Sequence, residues 1–276
     1  MPTETSPTSY VLGSTNTEHE RLIRQAAILD PISERWLREA GVGPGQRVLD
    51  VGSGLGDVSM LVARLVGPSG QVVGIDNDAS IIAKARDRIA RAGFQNVRFI
   101  ESDVGHISSA ESFDSIVGRL ILQFLADPGA VVKSLVGSLR PGGILVIQDA
   151  YWGPLLQLSA RLPIRSKCAT LIYEAFQSSG ANMNMELVLY RTFQDAGLPA
   201  PTMKIEVPVG RDPGLTRWTY DLFYSLVPQM RHYHLPVDNV GDLATLQERL
   251  DAELEATTMF SPTIGLVGAW SRKPHQ

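Results

Sequence analysis

Residues Val48 to Asp57 read Val-Leu-Asp-Val-Gly-Ser-Gly-Leu-Gly-Asp, and this stretch constrains the fold more than any other. A short apolar run ends in Asp50. Glycines then alternate at Gly52, Gly54 and Gly56, and an amphipathic pattern opens at Val58. That order predicts a strand, a tight turn and a helix N-terminus. Glycine admits positive φ and lets another group approach the backbone closely. The start of a helix leaves main-chain N–H groups without intrahelical partners. The turn is therefore a candidate ligand cradle. A G-x-G-x-x-G dinucleotide fingerprint does not fit it, because the third glycine would fall on Asp57. Asp50 and Asp57 also flank the turn with carboxylates, which would repel a pyrophosphate and favour an ammonium group.

Further strands ending in acidic residues follow in order. Val72 to Asp76 is an apolar run closed by Asp76, about twenty residues past the turn, and Val97 to Asp103 is another, ending in an acidic loop. Phe113 to Gly118 and Leu139 to Ile147 supply a fourth and a fifth strand, the latter entered through Pro141-Gly142-Gly143. Helical patterns lie between successive strands: Val58, Leu61, Val62 and Leu65 behind a capping Asp57, then Ile81, Ile82, Ala85 and Ile89 between Asp78 and Gly93. This alternation predicts an α/β fold with a doubly wound, mostly parallel sheet and helices on both faces. In such sheets ligands bind at the carboxyl ends of the strands, where Asp50, Asp76 and Asp103 fall.

The D-x-G-x-G-x-G turn with acids at the next strand ends resembles motif I of the class I S-adenosylmethionine (SAM) methyltransferases. The resemblance spans about residues 45 to 150 and returns weakly at the C-terminus. It implies a seven-stranded sheet of order 3-2-1-4-5-7-6, the last two strands forming a reversed hairpin. It also implies a SAM site built from Asp50, Gly52, Gly54, Gly56, Asp76 with Asn77, and Asp103 with Val104. Asp76 would accept the ribose hydroxyls and Asp103 the adenine amino group. Arg119 to Leu125 resembles the Arg-x-x-Leu-x-His segment of small-molecule members. Arg119 would hold the SAM carboxylate or an acidic acceptor, or else form a structural ion pair. Tyr10, together with Glu20, Arg21 and Gln25, resembles the N-terminal lid of the same relatives.

The chain has 276 residues, 44% hydrophobic and 20% charged, which suits one large domain or one domain with an elaborated cap. Its net charge is −4, with no basic run, so nucleic acid and anionic membrane are poor partners. A single cysteine, Cys168, rules out an internal disulfide or cysteine metal cluster. The absence of a leader or long apolar run leads to the expectation of a soluble, cytoplasmic protein. Residues 1 to 44 read as a tail, partly disordered through residue 16, followed by lid helices. One helix ends before Pro31, and a second runs from Ile32 to Ala40 and is stopped by Gly41. Residues 45 to 150 read as the SAM-binding core. Residues 151 to 276 read as the rest of the sheet, with a helix at 185–196 and strands at 202–209 and 264–271. Cap insertions at 151–182 and 211–258 would form the acceptor pocket.

Methyl transfer from a sulfonium is an in-line displacement that needs alignment and water exclusion, and a base only if the acceptor must lose a proton. Asp149, at the end of the fifth strand, is the candidate base, with a turn-capping carboxylate as the alternative. His232 and His234 could place two imidazoles on one strand face and serve as acceptor-side bases; with no third ligand nearby, they make no metal site. Cys168 follows Lys167 rather than a proline, as a cytosine-C5 enzyme would need, and arsenite enzymes use several cysteines. Gly118-Arg119-Leu120-Ile121 is not the run of amino-methylating DNA enzymes, and Asp149-Ala150 lacks the Asn of magnesium-dependent catechol enzymes. The expected activity is metal-independent methylation of a small, hydrophobic metabolite. Open alternatives are a protein that binds SAM without methylating, as a cyclase or ligand-binding module, and a NAD(P)-dependent oxidoreductase.

Overall fold

The apolar runs become buried strands. The computed structural model describes residues 16–105 and 112–275. β1 (Arg47–Val51), β2 (Gln71–Asp76), β3 (Val97–Glu101), β4 (Phe113–Arg119) and β5 (Leu139–Tyr151) precede β6 (Thr202–Glu206). Two short strands, β7 (Val209–Gly210) and β8 (Ser261–Pro262), pair apart, and β9 (Gly265–Arg272) returns to the main sheet. Among the described residues that sheet has the order β3-β2-β1-β4-β5-β9-β6. β9 runs antiparallel to both β5 and β6, and the other pairs are parallel. This is the order the sequence implied, with the final strand inserted between the fifth and sixth.

Register sorts the side chains onto two faces. Leu49, Ile116 and Leu145 are aligned across β1, β4 and β5, and Asp149 is aligned with Val267. This face forms the main core with Leu135 of α4 (Pro128–Gly137) and Met185, Leu189 and Phe193 of α7 (Met185–Asp195). On the other face Asp50 is aligned with Val117, and Arg119 with Gln148. There α2 (Asp57–Val66) reaches Asp50 through Ser59, and α3 (Ala79–Arg91) buries Ile82, Ala85 and Ile89 around Phe99. Gly268 of β9 lies against Trp36, whose ring would be 2.5 Å from any Cβ placed there.

Helix starts and stops follow the sequence in part. Asp78 caps α3, accepting the Ser80 and Ile81 amides at 2.8 and 3.2 Å, and Gly93 ends the segment at φ +78°. Asp57 is not a cap: Gly56, at φ +81°, holds that position and Asp57 is the first helical residue. The two expected N-terminal helices are one, α1 (Asn16–Ala40), with Pro31 inside it. An interior proline costs about 3 kcal/mol. Leu29, Ile32, Trp36 and Leu37 are at most 4% exposed, and at about 1.5–3 kcal/mol each their burial outweighs that cost.

The chain divides into two compact units. One comprises residues 29–151, 184–206 and 265 onward, and contains the sheet just described. The other comprises residues 16–28, 152–183 and 207–264. It holds α5 (Gly153–Ser159), α6 (Pro163–Ser178), α8 (Pro213–His232), α9 (Leu246–Glu255) and the β7–β8 pair. Its interior carries Ile172, Trp218, Phe223, Leu226 and Leu250. The fully buried Arg165 donates to the Thr219 and Ser261 hydroxyls, each at 2.9 Å. Arg24 near the start of α1 donates to Asp221 of α8 at 2.7 Å. Among the described residues no helix is long and apolar enough to cross a membrane.

Candidate active site

The three glycines of the turn do different work. All are left-handed, with φ of +66°, +50° and +81° at Gly52, Gly54 and Gly56. A Cβ at Gly52 would lie 2.8 Å from the Cδ1 and Cγ1 atoms of Ile121, and one at Gly56 would lie 2.9 Å from Phe99 Cζ. These two glycines are needed by the protein's own packing. A Cβ at Gly54 meets nothing within 4 Å. Beside it Ser53 is 6% exposed, and its hydroxyl has no partner among the described residues.

Asp76 closes β2 next to this space. One carboxylate oxygen accepts the Gly54 amide at 2.9 Å, and the other accepts Asp78 N–H at 3.1 Å. A carboxylate has about four lone-pair sites, so acceptor capacity remains on both oxygens. Asn77 is exposed beside it. Asp103 follows β3, is exposed, and accepts Gly105 N–H at 2.6 Å, while Val104 is buried in the main core.

The electrostatics differ from the expectation. Asp50 is 1% exposed and accepts the Ser59 hydroxyl at 2.6 Å. Burial pushes its carboxyl up to about 7, against the lowering effects of Ser59 and Arg119. Asp57 is paired with Arg88 at 2.7 Å. The turn is thus not flanked by two free negative charges: one acid is balanced, and burial pushes the other toward its neutral form. Repulsion of a pyrophosphate is correspondingly weaker than the sequence alone suggested.

Arg119 forms an ion pair with Asp30 at 2.9 Å and donates to Ser33 Oγ at 3.0 Å, and Ser33 donates onward to Gln148 at 2.6 Å. This is the structural ion pair that the sequence left open as the alternative. Burial raises the Asp30 carboxyl, and Arg119 opposes that shift. Asp149 is fully buried and lies on the sheet face opposite Asp50. Its oxygens accept the Ala150 amide at 2.9 Å and the Gln123 amide at 3.1 Å. Burial pushes its carboxyl up to about 7, against those backbone bonds. The geometry is that of a turn-capping carboxylate.

Gln25 accepts from Arg21 at 2.7 Å, and Arg21 is also paired with Glu18. Tyr10 lies outside the described residues. His232 and His234 do not share a strand face, as the sequence reading supposed. His232 is the last residue of α8, and His234 follows the helix at φ +57°, both exposed. The aromatic, apolar spacing from Trp218 to Met230 carries the helix through to that point. Among the described residues no cluster of His, Cys, Asp or Glu could hold a metal ion. Sequence reading missed Ile121, Ser53 and the Asp30–Ser33–Gln148 chain. Gly52 was the available signal for Ile121, since a glycine beside a strand end often marks a side chain lying across its backbone.

The profile of a family described as "Methyltransferase domain" matches residues 43–197, more than half of the chain. The chain belongs to that family. It is 36% identical over 111 residues to an arsenite methyltransferase of Halobacterium salinarum, covering 40% of this chain and 28% of that protein. It is 34% identical over 112 residues to a ubiquinone/menaquinone biosynthesis C-methyltransferase, UbiE, of Haemophilus ducreyi, covering 40% of this chain and 43% of that one. The match thus spans less than half the length of either relative. Among solved structures, a protein of Bacillus halodurans described as a methyltransferase superposes with a TM-score of 0.56 at 16% identity, covering 87% of this chain and 97% of that chain. The fold is that of the class I SAM-dependent methyltransferases.

Proposed function

We propose that this protein transfers the methyl group of SAM to a small, hydrophobic metabolite without a metal ion. The observation that carries the reading is the open space at Gly54, beside the unpartnered Ser53 hydroxyl and the strand-end carboxylate of Asp76. In a methyltransferase-family chain this is where the cofactor's amino-acid and ribose portions fit. SAM, when bound, supplies an electrophilic methyl group on a sulfonium. Gly54 leaves room for it, Asp76, followed by Asn77, accepts the ribose hydroxyls, and Asp103, followed by Val104, accepts the adenine amino group. Ionised Asp50 faces the ammonium group. Arg119 is committed to Asp30 and keeps the strand ends in place.

Asp149 has no exposed surface, and both oxygens already accept main-chain N–H groups, which argues against proton removal from an acceptor. Alignment of donor and acceptor then carries the reaction. The UbiE relative is named for C-methylation in quinone biosynthesis, which supports an apolar acceptor. Arsenite is disfavoured: the one cysteine, Cys168, is buried, and burial pushes its thiol up to about 12. Calorimetry with SAM, its demethylated product and NAD, followed by labelled methyl transfer into metabolite extracts, tests the reading. Preference for NAD over SAM would end it. SAM binding without transfer into any extract would favour the alternative, a SAM-binding protein that does not methylate.

A further inference from the structure

The segment after β4 is held in an unusual path. Leu120 is left-handed at φ +57°, a conformation that costs a side-chain-bearing residue about 1–2 kcal/mol. Three contacts keep it there. Leu120 N–H donates to Gln148 O at 2.8 Å. Leu122, fully buried, sits in the main core. Gln123 N–H donates to the buried carboxylate of Asp149. Between these anchors Ile121 lies across the backbone of Gly52, so close that no Cβ fits there, and against Gly118. The buried carboxylate and the cofactor turn are therefore linked through one short run of chain: Asp149, the Gln123 amide, Ile121, Gly52.

We propose that Asp149 is a positioning residue for the cofactor turn: by holding the Gln123 amide it keeps Ile121 seated against Gly52 and so fixes the turn in the shape that receives SAM. The inference rests on the proposed SAM site. An ionised carboxylate can accept two main-chain N–H groups at once without offering a donor of its own. Asparagine of the same shape must turn an NH2 group toward one of them. That mismatch leaves a buried amide unsatisfied and lets the strained turn relax.

The test is calorimetric binding of SAM and of its demethylated product to the wild type, Asp149→Asn, Ile121→Ala and the double variant, with each melting curve recorded. Wild-type binding with Asp149→Asn weaker by roughly 5- to 100-fold, while still folded at the assay temperature, is the expected result. Ile121→Ala should weaken binding as well. The double variant should be much less than additive, because the two residues act through the same contact. A general base would lower turnover and leave SAM affinity alone, and unchanged affinity in a folded Asp149→Asn overturns the proposal. Strict additivity in the double variant overturns it too. If Asp149→Asn does not fold, Ile121→Ala decides alone: unchanged SAM affinity there refutes the coupling. Failure of the wild type to bind SAM would instead refute the function on which the inference rests.

Discussion

Gly52 and Gly54 lie two residues apart, and alanine at each should act by a different route. Both are left-handed, so either substitution costs about 1–2 kcal/mol in backbone conformation. At position 54 the new methyl group meets nothing within 4 Å, and the cost stops there. At position 52 it would lie 2.8 Å from Ile121, adding about 1–3 kcal/mol of overpacking. Gly54→Ala should therefore melt only a few degrees below the wild type, and Gly52→Ala should melt lower still. Binding should fall at position 54 in spite of that small cost. If SAM fills the space beside Gly54, the methyl group intrudes on the ligand with a similar overpacking cost, and affinity should fall roughly 10- to 100-fold. Scanning calorimetry and SAM titration on the same three preparations measure both orders. A folded Gly54→Ala variant that binds SAM as the wild type does would show that the open space belongs to something else.

Asp76→Ala should cost about 1.5–3 kcal/mol of SAM affinity by titration, since ribose donors would lose a charged acceptor; an unchanged dissociation constant makes Asp76 a turn residue only. Asp50, held near 7 when the protein is free, should lose its proton when a cationic amine arrives, so SAM binding should tighten as pH rises through 7. Titrations at pH 7 in buffers of different ionisation enthalpy should then report proton release, and identical heats in all buffers would sink the idea. Arg119→Met should lower stability by about 1–2 kcal/mol at pH 7 through its stranded partner Asp30, a modest figure because Asp30 is 28% exposed. The loss should shrink as pH falls through the raised Asp30 carboxyl, which takes up its proton there; a pH-independent loss would mean that packing dominates. His234→Gly should raise stability by about 0.5–1 kcal/mol by relieving the left-handed backbone, with turnover intact. A collapse of turnover in that variant would restore His234 as a base.

The strand order and the glycine turn were legible because each is written locally: apolar runs of five to seven residues for β1 to β4, acids at the ends of several, and glycines where φ must be positive. The roles of the acids were not. Asp50, Asp57, Asp76 and Asp149 look alike as carboxylates near strand or helix ends, yet the structure gives each a different partner: Ser59, Arg88, the Gly54 amide and the Gln123 amide. Each partner comes from another part of the chain, from 9 to 31 residues away. Periodicity says which face of a strand a residue takes once the register is known, but not what faces it. Asp149 shows the consequence. Its position at the end of β5 suggested a base, while one residue's difference in strand phase puts it on the opposite face from Gln148 and among apolar neighbours. Pro31 shows the converse. The local rule ended a helix there, and burial of Leu29, Ile32, Trp36 and Leu37 overrode it. The misplaced helix boundary arises where tertiary burial opposes a local preference of a few kcal/mol, and burial of three or four large side chains is enough to decide such a contest.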